Sequence, residues 1–278
     1  MRTTIVFLSS AFATSLAFAA AAQQAPATSG STDVASEGFQ KAAEQPADDT
    51  DSQSAKISAG AFLTAGNSRT LALTGAAAYR VRRAASQFEA AASVNYGESA
   101  PDADSDRKRS VENYQGKVRY DHFLADSFAT FLSVSGRRDE FQKLDLRLNI
   151  DPGLAYYFIE QKEQLLWAEL GYDLQHDIRT EDETETYDKT ETRHGARAFV
   201  GFETRLSEAA NFSTSLEYIQ SLSSTENLRL NFDAALASKI LDDLSLAATF
   251  ATKYDKTPLE GVEDTDIITA VNLVYTFK

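Results

Sequence analysis

The chain has 278 residues, enough for one large domain or two of ordinary size, since all-β barrels often exceed about 200 residues as one unit. It contains no cysteine, which excludes a disulfide framework and a thiolate metal site. With 41 acidic and 27 basic residues the net charge is −14, and such a chain has no electrostatic basis for binding nucleic acid.

The N-terminus predicts export from the cytoplasm. Arg2 is followed by an apolar stretch from Ile5 to Phe18 and by small residues, the pattern of a secretory signal peptide over residues 1–22. A transmembrane anchor is the alternative, but the stretch is shorter than the roughly 20 residues that a helical span needs. Residues 23–54 are polar, Ala-rich and without periodicity, and they predict a disordered periplasmic leader.

The rest of the chain, residues 55–278, predicts one barrel domain. Apolar residues recur at every second position in twelve consecutive segments, as in "DLRLNIDPGLAYYF" from Asp145 to Phe158. Each segment is near the roughly 9 to 11 residues with which a tilted strand crosses a bilayer. Short connections generally alternate with longer ones, which is typical of an outer-membrane barrel with its short turns and both termini on the periplasmic side. The predicted fold is all-β, a transmembrane antiparallel β-barrel of about 12 strands.

Alternation alone does not decide which face of the barrel is wet, because a soluble barrel shows the same pattern with its apolar side chains inside. Aromatic residues gather near the ends of the apolar face, for example Tyr79, Phe88 and Phe277, as interfacial girdles do. Twelve strands also enclose a lumen too wide for small apolar side chains to fill. We therefore expect lipid outside and a hydrated, charged lumen inside. The predicted lumen-lining residues are Arg80, Arg119, Arg147, Glu169, Arg197, Glu203, Glu217 and Arg229.

Pro152 lies in the middle of a predicted strand. Proline has no N–H to donate to the sheet, and Gly153 beside it tolerates an irregular backbone. We therefore expect a bulge or a displaced register at Pro152, with a bend in the strand.

Three stretches carry a resemblance to a known family: "GNSRTLALTGAAAYRVRR" (Gly66 to Arg83), the segment from Val118 to Phe158, and the terminal "NLVYTFK". They resemble the YdiY-type salt-induced outer-membrane proteins, whose members are mostly of unknown function. The resemblance implies a barrel in the outer membrane of a Gram-negative cell and supplies no catalytic residues. The partners expected of such a barrel are outer-membrane lipid, lipopolysaccharide and the barrel assembly machinery, and we expect a monomer.

A histidine pair is the strongest local candidate for chemistry. If the seventh and eighth strands pair Leu170 with Val200, then His176 faces His194 near the loop end, with Asp173, Asp177 and Glu191 close by. Directly opposed residues have Cβ atoms roughly 4.5 to 5.5 Å apart, close enough to share a metal or a proton. The alternative is two rim histidines at headgroup level on the lipid-facing side.

Two loops carry concentrated charge. The acidic loop from Asp177 to Arg193 could bind calcium, but its spacing matches no EF-hand, and a solvated loop is the simpler interpretation. The segment "DADSDRKR", from Asp102 to Arg109, could contact lipid phosphates or neutralise its own acids. No nucleophile elbow, zinc-protease helix or phosphate loop is present, so no enzyme, cofactor or metal site is predicted.

Three functions are compatible with these patterns. The first is a passive narrow channel or a structural envelope protein, which the resemblance links to salt or osmotic stress. The second is a surface hydrolase built on His176 and His194. The third is a soluble periplasmic barrel that binds an apolar ligand.

Overall fold

Twelve strands make up the computed structural model, which describes residues 51–64, 69–100, 105–140, 143–161, 163–180, 188–258 and 264–277. The signal peptide and nearly all of the predicted leader lie outside these residues. The strands, in chain order, are β1 (Asp51–Thr64), β2 (Arg69–Arg83), β3 (Ser86–Ala100), β4 (Lys108–Ala125), β5 (Phe128–Asp139), β6 (Leu144–Gln161), β7 (Gln164–Arg179), β8 (Thr190–Ser207), β9 (Ala210–Ser221), β10 (Leu228–Lys239), β11 (Leu244–Asp255) and β12 (Thr265–Phe277).

The strands form one closed antiparallel barrel in which each strand pairs with its neighbours in sequence. The barrel closes between β1 and β12, where Ala55 pairs with Phe277 and Ala59 with Leu273. Strand β1 begins at Asp51 and pairs with β2 from there, so residues 51–54 belong to the barrel rather than to the leader. The predicted fold, an all-β barrel of twelve strands, is confirmed.

The outer surface of the barrel is apolar. Leu170 is 69% exposed and Val271 60% exposed, and the outward positions of every strand from β1 to β12 carry similar residues. Exposed aromatic side chains lie near the strand ends that the shorter connections join, as a membrane interface requires. These are Tyr79, Phe88, Tyr120, Tyr156, Phe158, Tyr275 and Phe277. A soluble barrel would show the opposite arrangement, so the apolar face is the one that meets lipid.

The inner surface is polar along most strands. Fully buried Asn113, Asp121, Gln175 and Asp177 all point into the lumen. On β10 to β12 the inward residues near the β10–β11 turn are small and apolar, and Ala235, Ala237, Ala247 and Val274 form a buried cluster there. Farther from that turn the same strands carry inward polar and charged residues, such as Arg229 and Lys253.

The two ends of the barrel differ in their connections. Only two residues separate β2 from β3, β4 from β5, β6 from β7 and β8 from β9, and four separate β10 from β11. At the other end the connections span four to ten residues. In the first of the tight turns Ala84 adopts a left-handed backbone with φ of 48°, and its N–H donates to Asp51 Oδ1 at 2.9 Å. We call the two ends the short-turn end and the long-loop end.

Strand β6 contains no register shift at Pro152. Ile150 pairs with Leu174 and Gly153 with Gly171, so the register toward β7 is the same on both sides of the proline. The predicted displacement at Pro152 is therefore wrong. Irregularities occur instead near the two ends of β6, between Leu144 and Leu146 and between Tyr157 and Ile159. The proline is accommodated because the pairing with β7 skips Asp151 and Pro152, while β5 still pairs with both.

No helix among the described residues is long and apolar enough to cross a membrane.

Candidate functional site

A charged chamber occupies the long-loop half of the lumen. Its volume is about 220 Å³, and the loop residues Thr257, Pro258 and Asp264 line its upper part. Strands β4 to β11 contribute the rest of the wall. The basic residues that line it are Lys117, Arg119, Arg137, Arg147, Arg179, Arg193, Arg197, Arg229 and Lys253. The acidic residues that line it are Asp151, Asp173, Glu217, Asp255 and Asp264.

Glu169 of β7 holds together the floor of the chamber. Its Oε1 accepts a hydrogen bond from Arg119 Nη1 at 2.9 Å, and its Oε2 accepts one from Arg197 Nη1 at 2.7 Å. Arg119 also contacts Asp121 through a 2.7 Å bond, and Arg197 Nε donates to Glu217 at 2.5 Å. Because β4 and β7 are separated by β5 and β6, the Arg119–Glu169 pair crosses part of the lumen.

A second cluster lies nearer the long-loop end. Arg147 donates to both carboxylate oxygens of Asp177, at 2.8 and 2.7 Å. Arg229 of β10 reaches β7, where it donates to Asp173 at 2.7 Å and also hydrogen-bonds Gln175. Asn149 satisfies the other oxygen of Asp173 at 2.7 Å. Charge-assisted and two-pronged bonds of this kind fix the guanidinium groups in place.

The alternation of β7 explains why these acids share one face. Glu169, Asp173, Gln175 and Asp177 occupy odd-numbered positions, and side chains two residues apart point to the same side of a strand. All four are buried in the lumen. The even-numbered residues of the same strand, such as Leu170, face outward.

An aromatic layer lies below the chamber, toward the short-turn end. The ring of Trp167 covers Gly201 on the paired strand, and the ring of Phe131 covers Gly153 in the same way. A side chain at either glycine would overlap the ring, so glycine is required by the close approach. Trp167 Nε1 donates to Glu169 at 3.1 Å, which joins this layer to the ionic floor above it.

The structure places the eight predicted lumen residues on the inner face, at different depths. Arg119, Arg147, Arg197, Glu217 and Arg229 line the chamber, and Glu169 is buried beneath it. Arg80 and Glu203 lie outside the chamber and nearer the short-turn end. Arg80 hydrogen-bonds Gln87 at 2.9 Å, and Glu203 is also buried.

Several chamber residues were absent from the predicted set. These are Arg137, Asp173, Arg179, Arg193, Asp255 and Asp264. The sequence could have identified those that lie on strands, because each occupies one of the alternate positions that face the lumen. Parity gives the face of a residue but neither its depth nor the partner across the lumen, which depend on strand tilt and stagger.

The predicted histidine pair does not form. The register of β7 and β8 pairs Leu174 with His194 and His176 with Thr192, two residues away from the expected register. Each histidine has a different partner: His194 hydrogen-bonds the hydroxyl of Tyr172, and His176 Nδ1 lies 2.8 Å from Thr192 Oγ1.

The acids that were expected to assist the histidines also lie elsewhere. Asp173 and Asp177 point into the lumen on the opposite face of the sheet. Glu191 binds Arg179 and Arg193. No three His, Asp or Glu residues in the described part of the chain could together hold a metal ion. Residues 181–187 of the acidic loop and residues 102–104 of "DADSDRKR" lie outside the described residues.

An apolar exterior, a polar interior and a closed sheet of twelve antiparallel strands define an outer-membrane porin-like barrel. The solved structure of the NanC porin shares this fold: it is 10% identical with a TM-score of 0.50, and the match covers 82% of this chain and all of that one. Weaker matches are the KdgM porin, which is 10% identical with a TM-score of 0.45, and the β domain of the Bordetella autotransporter BrkA, which is 11% identical with a TM-score of 0.42. These two matches cover 82% and 83% of this chain and all of the other chains.

The chain belongs to the family described as "Protein of unknown function, DUF481", whose model matches residues 57–277. No curated protein matches this sequence. The family is thus established together with the fold, and the function has to be argued from the lumen.

Proposed function

We propose that this protein is a passive outer-membrane channel for small solutes, which enter through the chamber at the long-loop end. The observation that supports the proposal is the chamber itself, about 220 Å³ of space walled by charged and polar side chains from β4 to β11. A barrel that served only as a wall would have no need of a solvated cavity in its core.

The route below the chamber is narrow. The Arg119–Glu169–Arg197 cluster and the rings of Phe131 and Trp167 occupy the lumen at that depth. Arg82 and Glu160, from β2 and β6, approach to 3.4 Å nearer the short-turn end. This packing favours a second candidate function, a closed barrel that reinforces the envelope.

Planar-bilayer recordings of the purified protein distinguish the two candidates. A channel gives discrete conductance steps, and the Arg119→Ser variant, which removes one side of the floor, should give larger steps. Arg109→Ser is the matched control, because Arg109 bonds Glu112 and Glu140 at the rim and does not line the chamber. If neither the natural protein nor Arg119→Ser conducts, the channel is wrong and the closed barrel is supported.

The cellular setting is part of the same proposal. We propose export through the signal peptide of residues 1–22, insertion into the outer membrane by the barrel assembly machinery, and contact of the rim with lipopolysaccharide. The apolar exterior supports a membrane location. Recovery of the protein in outer-membrane fractions, with an N-terminus cleaved before residue 24, is the expected result, and recovery in the soluble periplasm would contradict it.

The link with salt or osmotic stress rests on the family resemblance. It predicts that the amount of protein rises at high salt and that a deletion strain grows more slowly there. Complementation with the Arg119→Ser gene tests whether the lumen matters: a wider channel should alter growth at high salt, whereas a purely structural barrel should complement fully.

A further inference from the structure

We infer that the chamber binds small organic anions, with the carboxylate held by the free edges of Arg147 and Arg193 near the long-loop end and the rest of the anion extending toward the free edge of Arg197 in the floor. This inference deepens the proposed channel by naming the class of solute that its chamber recognises.

Each of the three guanidinium groups donates hydrogen bonds to a carboxylate, which holds the group in place. Arg147 is bound by Asp177 through Nε and Nη2. Arg193 is bound by Glu191 in the same way, at 2.7 and 2.9 Å. Two-pronged pairing of this kind uses one edge of the planar group and leaves the other edge free.

The remaining nitrogens have no acceptor among the described residues. They are Nη1 of Arg147, Nη1 of Arg193 and Nη2 of Arg197, whose Nε and Nη1 are taken by Glu217 and Glu169. None of them is a buried atom without a partner, so each retains contact with the solvent space. All three side chains line the chamber. Donors that are already oriented toward a cavity lose little freedom when an anion accepts their hydrogen bonds.

The chamber has no long-range positive field that would attract anions. Nine basic and five acidic residues line it, and five further acids, Asp121, Asp139, Glu169, Asp177 and Glu191, lie outside that lining and bind the arginines. Because the acidic residues together slightly outnumber the basic ones, recognition of an anion depends on short-range hydrogen bonds from the arginine nitrogens. The expected preference is therefore several-fold and sensitive to the shape of the anion.

Equilibrium binding to the full-length protein in lipid nanodiscs tests the inference independently of conduction. Titration calorimetry with gluconate is compared with sorbitol, which has the same six-carbon chain but no carboxylate, and with inorganic phosphate. We expect gluconate to bind and sorbitol to give no heat. The Arg147→Gln/Arg193→Gln variant should bind gluconate at least tenfold more weakly, and Arg147→Lys, which keeps the charge but loses the fork, should lie in between.

The control is Arg109→Gln, which removes one positive charge at the rim and should leave gluconate binding unchanged. Retention of the heat-dependent mobility of the folded barrel on gels shows whether a variant still folds. Equal binding of gluconate and sorbitol, binding unaffected by the double variant, or binding of phosphate without gluconate would each overturn the inference.

The two proposals fail in different ways. Conductance steps that show no preference for gluconate over a cation of similar size would leave the channel standing and refute the anion site. Gluconate binding without conductance steps would keep the anion site and refute the channel.

Discussion

Replacing Leu132 by Arg should impair the barrel far more than replacing Ser135 by Arg. Leu132 lies in the middle part of β5, is 46% exposed and faces outward. Ser135, three residues along the same strand, lines the chamber. An arginine on the lipid face near the bilayer midplane costs about 2 to 4 kcal/mol. At Ser135 the main cost is repulsion from Lys117 on the paired strand, roughly 0.2 to 1 kcal/mol.

Central values of these ranges differ by about 2.5 kcal/mol, or roughly 60-fold in the folding equilibrium. Reversible unfolding by guanidinium in phospholipid vesicles measures the difference. The fluorescence of Trp167, the single tryptophan of the chain, reports the transition because its ring is buried in the lumen. Equal losses of unfolding free energy at the two positions, or a greater loss for Ser135→Arg, would refute the assignment of faces.

Three further substitutions test the interior. Gly201→Leu should displace the ring of Trp167, because an added Cβ would lie 2.7 Å from Cε2 of that ring; a red-shifted emission is expected, and unchanged emission would show that the ring does not cover the glycine. Glu169→Gln should lower the free energy of unfolding by about 3 kcal/mol, because it removes the charge of a buried carboxylate that binds Arg119 and Arg197. Urea titration measures this free energy, and a loss below about 1 kcal/mol would show that Glu169 does not hold the floor together. Gly60→Val should break the 2.9 Å hydrogen bond between Thr74 of β2 and Asn272 of β12, and the same titration should show a loss of about 1 to 3 kcal/mol in the free energy of unfolding. Gly116→Ala is the control and should be neutral, because the nearest atom to an added Cβ there would be 3.9 Å away. Equal effects of the two substitutions would show that the barrel accepts a side chain at Gly60.

The fold could be predicted because membrane barrels repeat one rule along the whole chain. Alternation gives the face of each residue, and a change of register by one residue would expose every charge to lipid. The irregular positions were harder. Pro152 suggested a bulge, but the sequence around it does not reveal that the pairing between β6 and β7 can omit Asp151 and Pro152 and then continue in the same register.

The site could be predicted only in part. Arg147, Glu169 and Arg197 were identified as inward because parity depends on the strand alone. Their partners depend on the register between neighbouring strands and, for the contact between Glu169 and Arg119, on the approach of strands three apart, neither of which a short sequence pattern encodes. The histidine pair failed for the same reason: a shift of two residues keeps the face of His176 and changes its neighbour.

Site-directed spin labelling along β9 most directly tests the central claim that the apolar face of the barrel lies outside and the polar face lies inside. The chain has no cysteine of its own that would be labelled as well. Labels at residues 214, 216 and 218 should collide with oxygen dissolved in the bilayer, and labels at 213, 215 and 217 should not. Oxygen accessibility that follows the opposite parity, or that shows no alternation, would contradict the account.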